Sequence, residues 1–160
     1  MKRIAFIGGA ELSRGTPQQR TLVDLVLSHT GYQATVLGQM GTRTQQEILS
    51  LFAEAAEKRS DIIVFWPPTR QTADLQAWQH CQDQLIDWQQ QHRAASYINL
   101  LDVNDPYPRP WPGQQDREIR SLWLSERRLA VSWAEWPNAL SYVGNVKAAQ
   151  LLLTMINGVI

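Results

Sequence analysis

The chain has 160 residues, fifteen basic and fifteen acidic side chains, and 44% hydrophobic residues. That length suits one domain, 1–160, with one buried core, and the balanced charge provides no overall field to draw nucleic acid or an anionic membrane. The single cysteine, Cys81, excludes an internal disulfide and a cysteine-built metal cage.

Lys2 and Arg3 precede Ile4-Ala5-Phe6-Ile7, an apolar run that stops at Gly8-Gly9 and is too short for a secretory signal core. No stretch approaches the ~20 apolar residues of a membrane span. The expectation is a soluble cytoplasmic protein with no cofactor.

The Ile4-Ala5-Phe6-Ile7 run suits a parallel strand buried on both faces. Thr16-Pro17 is expected to open a helix, Thr as its cap and Pro in its first turn, with Leu22, Val23, Val26 and Leu27 as its apolar stripe. Gly31 ends it. Ala34-Thr35-Val36-Leu37 predicts a second strand. Gly38 and Gly41 bracket a loop, and Thr44 with Glu47 forms a capping box for a helix whose inner face is Ile48, Leu51, Phe52 and Ala55. Asp61-Ile62-Ile63-Val64-Phe65-Trp66 predicts a third strand, stopped by Pro67-Pro68.

A long helix is expected over 73–93, with Leu75, Trp78, Leu85 and Trp88 near one face and a Gln-rich solvated remainder. Tyr97-Ile98-Asn99-Leu100-Leu101 predicts the fourth strand. Four prolines and Gly113 make 104–115 a long loop. Leu129-Ala130-Val131 is the expected fifth strand. The last helix is expected over 139–157, with Val143, Val146, Ala149, Leu152, Leu153 and Ile156 inward. Strands alternating with helices imply an α/β fold: a three-layer α/β/α arrangement around a five-stranded, mainly parallel sheet. Ligands of such sheets bind outside the carboxyl ends of the strands.

The strand ends carry a family resemblance. Gly9-Ala10-Glu11-Leu12-Ser13-Arg14-Gly15 resembles the first block of SGNH/GDSL hydrolases, Gly-Asp-Ser-Leu-Thr-x-Gly, with Glu11 at the nucleophilic Ser. Gly38-Gln39-Met40-Gly41-Thr42-Arg43-Thr44 is similar to the second block, with Gly38 at the oxyanion-hole Gly. Pro67-Pro68-Thr69-Arg70-Gln71 stands where Gly-x-Asn-Asp should follow strand three, with Arg70 nearest the Asn and Thr69 beside it. Trp133-Ala134-Glu135-Trp136-Pro137-Asn138-Ala139-Leu140-Ser141-Tyr142 resembles Asp-x-x-His-Pro-Asn-x-x-Gly-Tyr. Pro137, Asn138 and Tyr142 match it, Trp136 stands at the catalytic His, and Trp133 stands at its Asp.

The resemblance spans nearly the whole chain in the family's order and implies an SGNH-type domain. In working members the Ser attacks an acyl carbonyl, the His takes its proton, and the Gly amide and Asn side chain stabilise the oxyanion. Here three of those four parts are replaced. Indole is a donor only and cannot accept the proton, and a guanidinium is no base near neutral pH. Ester hydrolysis by this route is therefore expected to be absent.

Three functions remain open. One is a non-hydrolytic binder of a small molecule or a protein partner, with Glu11, Gly38, Thr69, Arg70, Trp133 and Trp136 lining the former active-site cleft. In the second, Glu11 acts as acid or base and Arg70 clamps an anion, as in a lyase, isomerase or transferase. The third is a structural or interaction subunit, homo-oligomers included. It would use Trp111 in the proline loop, or the Leu75/Trp78/Leu85/Trp88 face.

Each residue also has a plainer reading. Glu11 suits a helix N-terminus, Arg70 a surface, and the two Trp side chains could plug the empty cleft. Ser13 is a displaced nucleophile only in the least favoured version. His29, His80 and His92 lack metal-ligand spacing and suit helix surfaces. A flavodoxin-like fold is the alternative architecture. It would need phosphate-cradling Ser/Thr after strand one, where only Ser13 and Thr16 stand.

Overall fold

Burial on both sides is what turns an uninterrupted apolar run into a central parallel strand. β1 (Arg3–Ile7) and β3 (Ile62–Phe65) show this: Ile4 to Ile7 and all of β3 are buried. The computed structural model describes residues 2–8, 21–37, 45–66, 75–102, 119–124 and 142–159. Its sheet also contains β2 (Gln33–Leu37), β4 (Ser96–Asp102) and β5 (Ile119–Leu124). The order is β2-β1-β3-β4-β5, and every neighbouring pair is parallel.

Alternation along the strands sends successive side chains to opposite faces. Ile4, Phe6, Ile62, Val64, Trp66, Ile98, Leu100 and Leu122 join one core with α1 (Leu22–Leu27) and α4 (Tyr142–Val159). Ala5, Ile7, Ile63, Phe65, Tyr97 and Ile119 join the other with α2 (Gln45–Glu57) and α3 (Leu75–Gln91). The result is the expected three-layer α/β/α arrangement. Each fully buried Leu, Ile or Phe contributes about 1.5–3 kcal/mol relative to exposure. Phe52 centres the second core, edge-on to Phe65 at 4.8 Å and stacked on Trp88 at 5.1 Å.

Two expected elements are displaced. The fifth strand is Ile119–Leu124, while 129–131 lies outside the described residues. β5 is an edge strand, so it mixes buried Ile119 and Leu122 with the partly exposed Arg120 and lacks a continuous apolar run. The first helix takes its cap from Thr21, not Thr16, which also lies outside the described residues. Thr21 Oγ accepts from the Asp24 amide at 3.2 Å, and Asp24 Oδ2 accepts from the Thr21 amide at 3.3 Å. This reciprocal capping box satisfies two amides that a helix start leaves unpaired.

α2 ends differently. The Ser60 amide donates to the Ala55 carbonyl and the Arg59 amide to the Ala56 carbonyl, with Arg59 at φ 54°. These are the two bonds of a Schellman motif, whose left-handed residue is usually Gly. Arg3 Nη1 adds a bond of 3.0 Å to the Lys58 carbonyl.

The Gln-rich face of α3 is only partly solvated. Gln89 is 0% exposed, and so is Asn99 of β4. Leu85, at 1% exposure, packs in the second core, and half-buried Trp88 lies against it. That half of the proposed Leu75/Trp78/Leu85/Trp88 interface is therefore interior, held by α2 and the sheet. The side chains of Leu75 and Trp78 lie outside the described residues.

Candidate functional site at the carboxyl edge of the sheet

All strands run in parallel, so their carboxyl ends share one edge. The chain leaves β1 for α1 on one face and leaves β3 for α3 on the other. β1 and β3 are neighbours whose following helices lie on opposite faces, the kind of switch point at which ligands of parallel sheets bind. The edge is held by backbone bonds: the Gly8 amide donates to the Leu37 carbonyl at 3.2 Å, and the Trp66 amide to the Ile7 carbonyl at 2.8 Å. Buried Trp66 closes the first core at this edge.

The sequence-predicted site residues Glu11, Gly38, Thr69, Arg70, Trp133 and Trp136 all lie outside the described residues, as do Ser13 and Trp111. Their positions along the chain are nonetheless informative. Glu11 is in the segment 9–20 that follows β1, Gly38 in 38–44 after β2, and Thr69 and Arg70 in 67–74 after β3. Trp133 and Trp136 are in 125–141, between β5 and α4.

One polar feature near this edge was not singled out from sequence. Gln89 Nε2 donates to Asn99 Oδ1 at 2.7 Å, and Asn99 Nδ2 donates to Gln89 Oε1 at 3.0 Å. This closed amide pair ties α3 to β4 beside Phe65, the register partner of Asn99. It is neutral and self-satisfied, which lets it sit in an apolar layer. The available signal was one Asn inside an apolar strand run.

Tyr97, the second residue of β4, faces the second core, and its hydroxyl donates to the His92 carbonyl at 2.6 Å. Burial pushes its phenol above the ordinary value, so it is a neutral donor. His92 Nδ1 donates to the Trp88 carbonyl at 2.8 Å, and its ring stacks on Trp88 at 3.8 Å. His29 Nδ1 lies 2.9 Å from the Leu25 carbonyl oxygen. Both histidines thus serve helix C-termini, as expected. Among the described residues no three His, Cys, Asp or Glu side chains group as a metal site, and no helix is long and apolar enough to cross a membrane. Cys81 lies within α3.

The described frame therefore fixes where the chain leaves β1, β2 and β3 at one edge of the sheet. Compared with protein-family models, curated proteins and solved structures, the chain shows no match.

Proposed function

We propose that this chain is a non-hydrolytic protein of the SGNH type that binds a small molecule at the carboxyl edge of its sheet. One observation supports this reading above the others. The strand order diverges between β1 and β3, and the segments leaving those two strands carry Glu11 and Thr69-Arg70. Glu11 is three residues past Gly8 and Arg70 four past Trp66, so chain length keeps each within about 15 Å of those two residues. A carboxylate and a guanidinium so placed suit a ligand bearing both an anionic group and a hydrogen-bond donor. Gly38 would let a ligand approach the backbone, and Trp133 and Trp136 would supply the aromatic wall. A reducing, cytoplasmic setting belongs to the same proposal and rests on the lone cysteine.

The loss of hydrolysis is tested by intact mass after fluorophosphonate treatment, with p-nitrophenyl acetate turnover followed in parallel. No adduct and no turnover are expected. A single serine adduct with turnover would overturn the reading and point to Ser13. Binding is tested by a thermal-shift screen of small carboxylates and phosphates, repeated on Glu11→Gln and Arg70→Ala. Ligands that stabilise the parent equally in both variants do not use the proposed cleft.

A further inference from the structure

The amino edge of the sheet carries a second feature, unrelated to the carboxyl edge. Arg3 opens β1, and its register partner Gln33 opens β2. Alternation puts Arg3, Gln33 and Thr35 on the same face as Ala5, beside the end of α2. Together with Lys58 and Ser60 they line an open depression of about 200 Å³. Among the described residues β2 is the edge strand on that side.

We propose that this depression binds a phosphate-class oxyanion, either free or as the phosphoryl group of a larger molecule. Among the described residues its lining contains two cations, two hydroxyls and a carboxamide, while the Asp61 carboxylate, next in sequence to Ser60, accepts from the Arg3 amide at 2.7 Å. The Thr35 and Ser60 hydroxyls and the Gln33 amide make no side-chain hydrogen bond to another described residue. The donors come from β1, β2 and the end of α2.

The negative end of α2 does not empty the site of attraction. Its last carbonyls are occupied by the Arg59 and Ser60 amides and by Arg3 Nη1. The remaining N–H groups of the Arg3 guanidinium are left to face a ligand. Lys58 is held 3.1 Å from Glu54 on the neighbouring turn, with both side chains about half exposed. Glu54 therefore competes with an anion for Lys58. The depression is smaller than the ~300 Å³ lower limit of pockets for drug-sized ligands. It takes one phosphoryl group and leaves any attached moiety outside.

The test is residue-resolved amide NMR of the whole chain, titrated with inorganic phosphate and then glycerol phosphate at ionic strength held constant with sodium chloride. Saturable shifts are expected at Thr35, Lys58, Arg59 and Ser60, with a dissociation constant on the order of 1 mM or tighter. Lys58→Gln should weaken binding about tenfold, and Glu54→Gln should tighten it. Both changes are at exposed positions on a helix end and leave the core intact. Acetate should not reproduce the shifts. Saturation by phosphate alone identifies a free-anion site, and saturation by both ligands identifies a phosphoryl subsite. Shifts that never saturate, that map to the carboxyl edge instead, that acetate reproduces, or that persist unchanged in Lys58→Gln overturn the proposal. The carboxyl-edge reading is untouched by that failure, since none of these residues belongs to it.

Discussion

Replacing Asn99 with Leu leaves the Gln89 amide buried with neither of its partners. Gln89 and Asn99 are each 0% exposed and joined by two bonds of 2.7 and 3.0 Å. Leu has the branching and heavy-atom count of Asn but is bulkier, so no cavity opens and the cost is the stranded amide with some overpacking. One stranded donor and one stranded acceptor cost about 1–3 kcal/mol each, so Asn99→Leu should destabilise by roughly 2–5 kcal/mol. The double variant Gln89→Leu/Asn99→Leu removes both polar groups and adds apolar contact between α3 and β4. It should recover most of the loss and stand within about 1 kcal/mol of the parent. Gln89→Leu strands the Asn99 amide in the same way, so the coupling energy from the four proteins should be about 3 kcal/mol or more. Urea unfolding followed by tryptophan fluorescence measures it, with the slope m checked for constancy. Additive single-variant losses, or an Asn99→Leu cost below about 0.5 kcal/mol, would refute the claim that the pair is mutually satisfying and dry.

Other substitutions probe the remaining joints. Arg59→Gly relieves a left-handed residue at φ 54° and should raise stability by about 0.5–1 kcal/mol, seen as a higher urea midpoint. Thr21→Ala removes the accepting oxygen of the α1 capping box and should cost about 1 kcal/mol, measured the same way. Phe52→Ala empties the centre of the second core, between Phe65 and Trp88, and should cost about 3–5 kcal/mol in calorimetry or urea unfolding. Tyr97 titrates higher folded than unfolded because burial disfavours the phenolate. The folded state then holds its proton longer, so this stability is complete below about pH 10 and declines as pH rises further. Tyr97→Phe should flatten that alkaline decline in a series of melting temperatures, and an unchanged slope would contradict the assignment.

What could be read from sequence follows from what burial imposes. β1 and β3 are covered on both faces, so Ile4-Ala5-Phe6-Ile7 and Ile62-Ile63-Val64-Phe65 carry apolar side chains at every position. The inner faces of α2 and α4 were equally plain, because Ile48, Phe52, Ala55, Ala149, Leu152 and Ile156 recur at helical spacing. β5 obeys a weaker rule. At the sheet edge it needs apolar groups only where it meets a layer, and Arg120 between Ile119 and Leu122 hides it. The start of α1 was expected at Thr16-Pro17, which drew attention from the Thr21–Asp24 pair five residues on that forms the capping bonds.

Gln89 shows a different obstacle. It stands among Gln82, Gln84, Gln90 and Gln91, and nothing within α3 separates it from them. Its burial is decided by Asn99, ten residues later on another element, and the carboxamide pair exists only once helix and sheet have met. The candidate site combines both kinds of legibility. Its frame follows from periodicity, because strands β1 and β3 and the helices they feed are forced into place by apolar surface. Its chemistry is borne by segments after the strand ends, where no periodic burial constrains the residue type. Glu11 was therefore reached by motif alignment and Arg70 by counting along the chain from Asp61, no motif standing there. The frame makes their chain positions meaningful, since a divergence between β1 and β3 makes the residues just past those two strands the ones a bound molecule would meet.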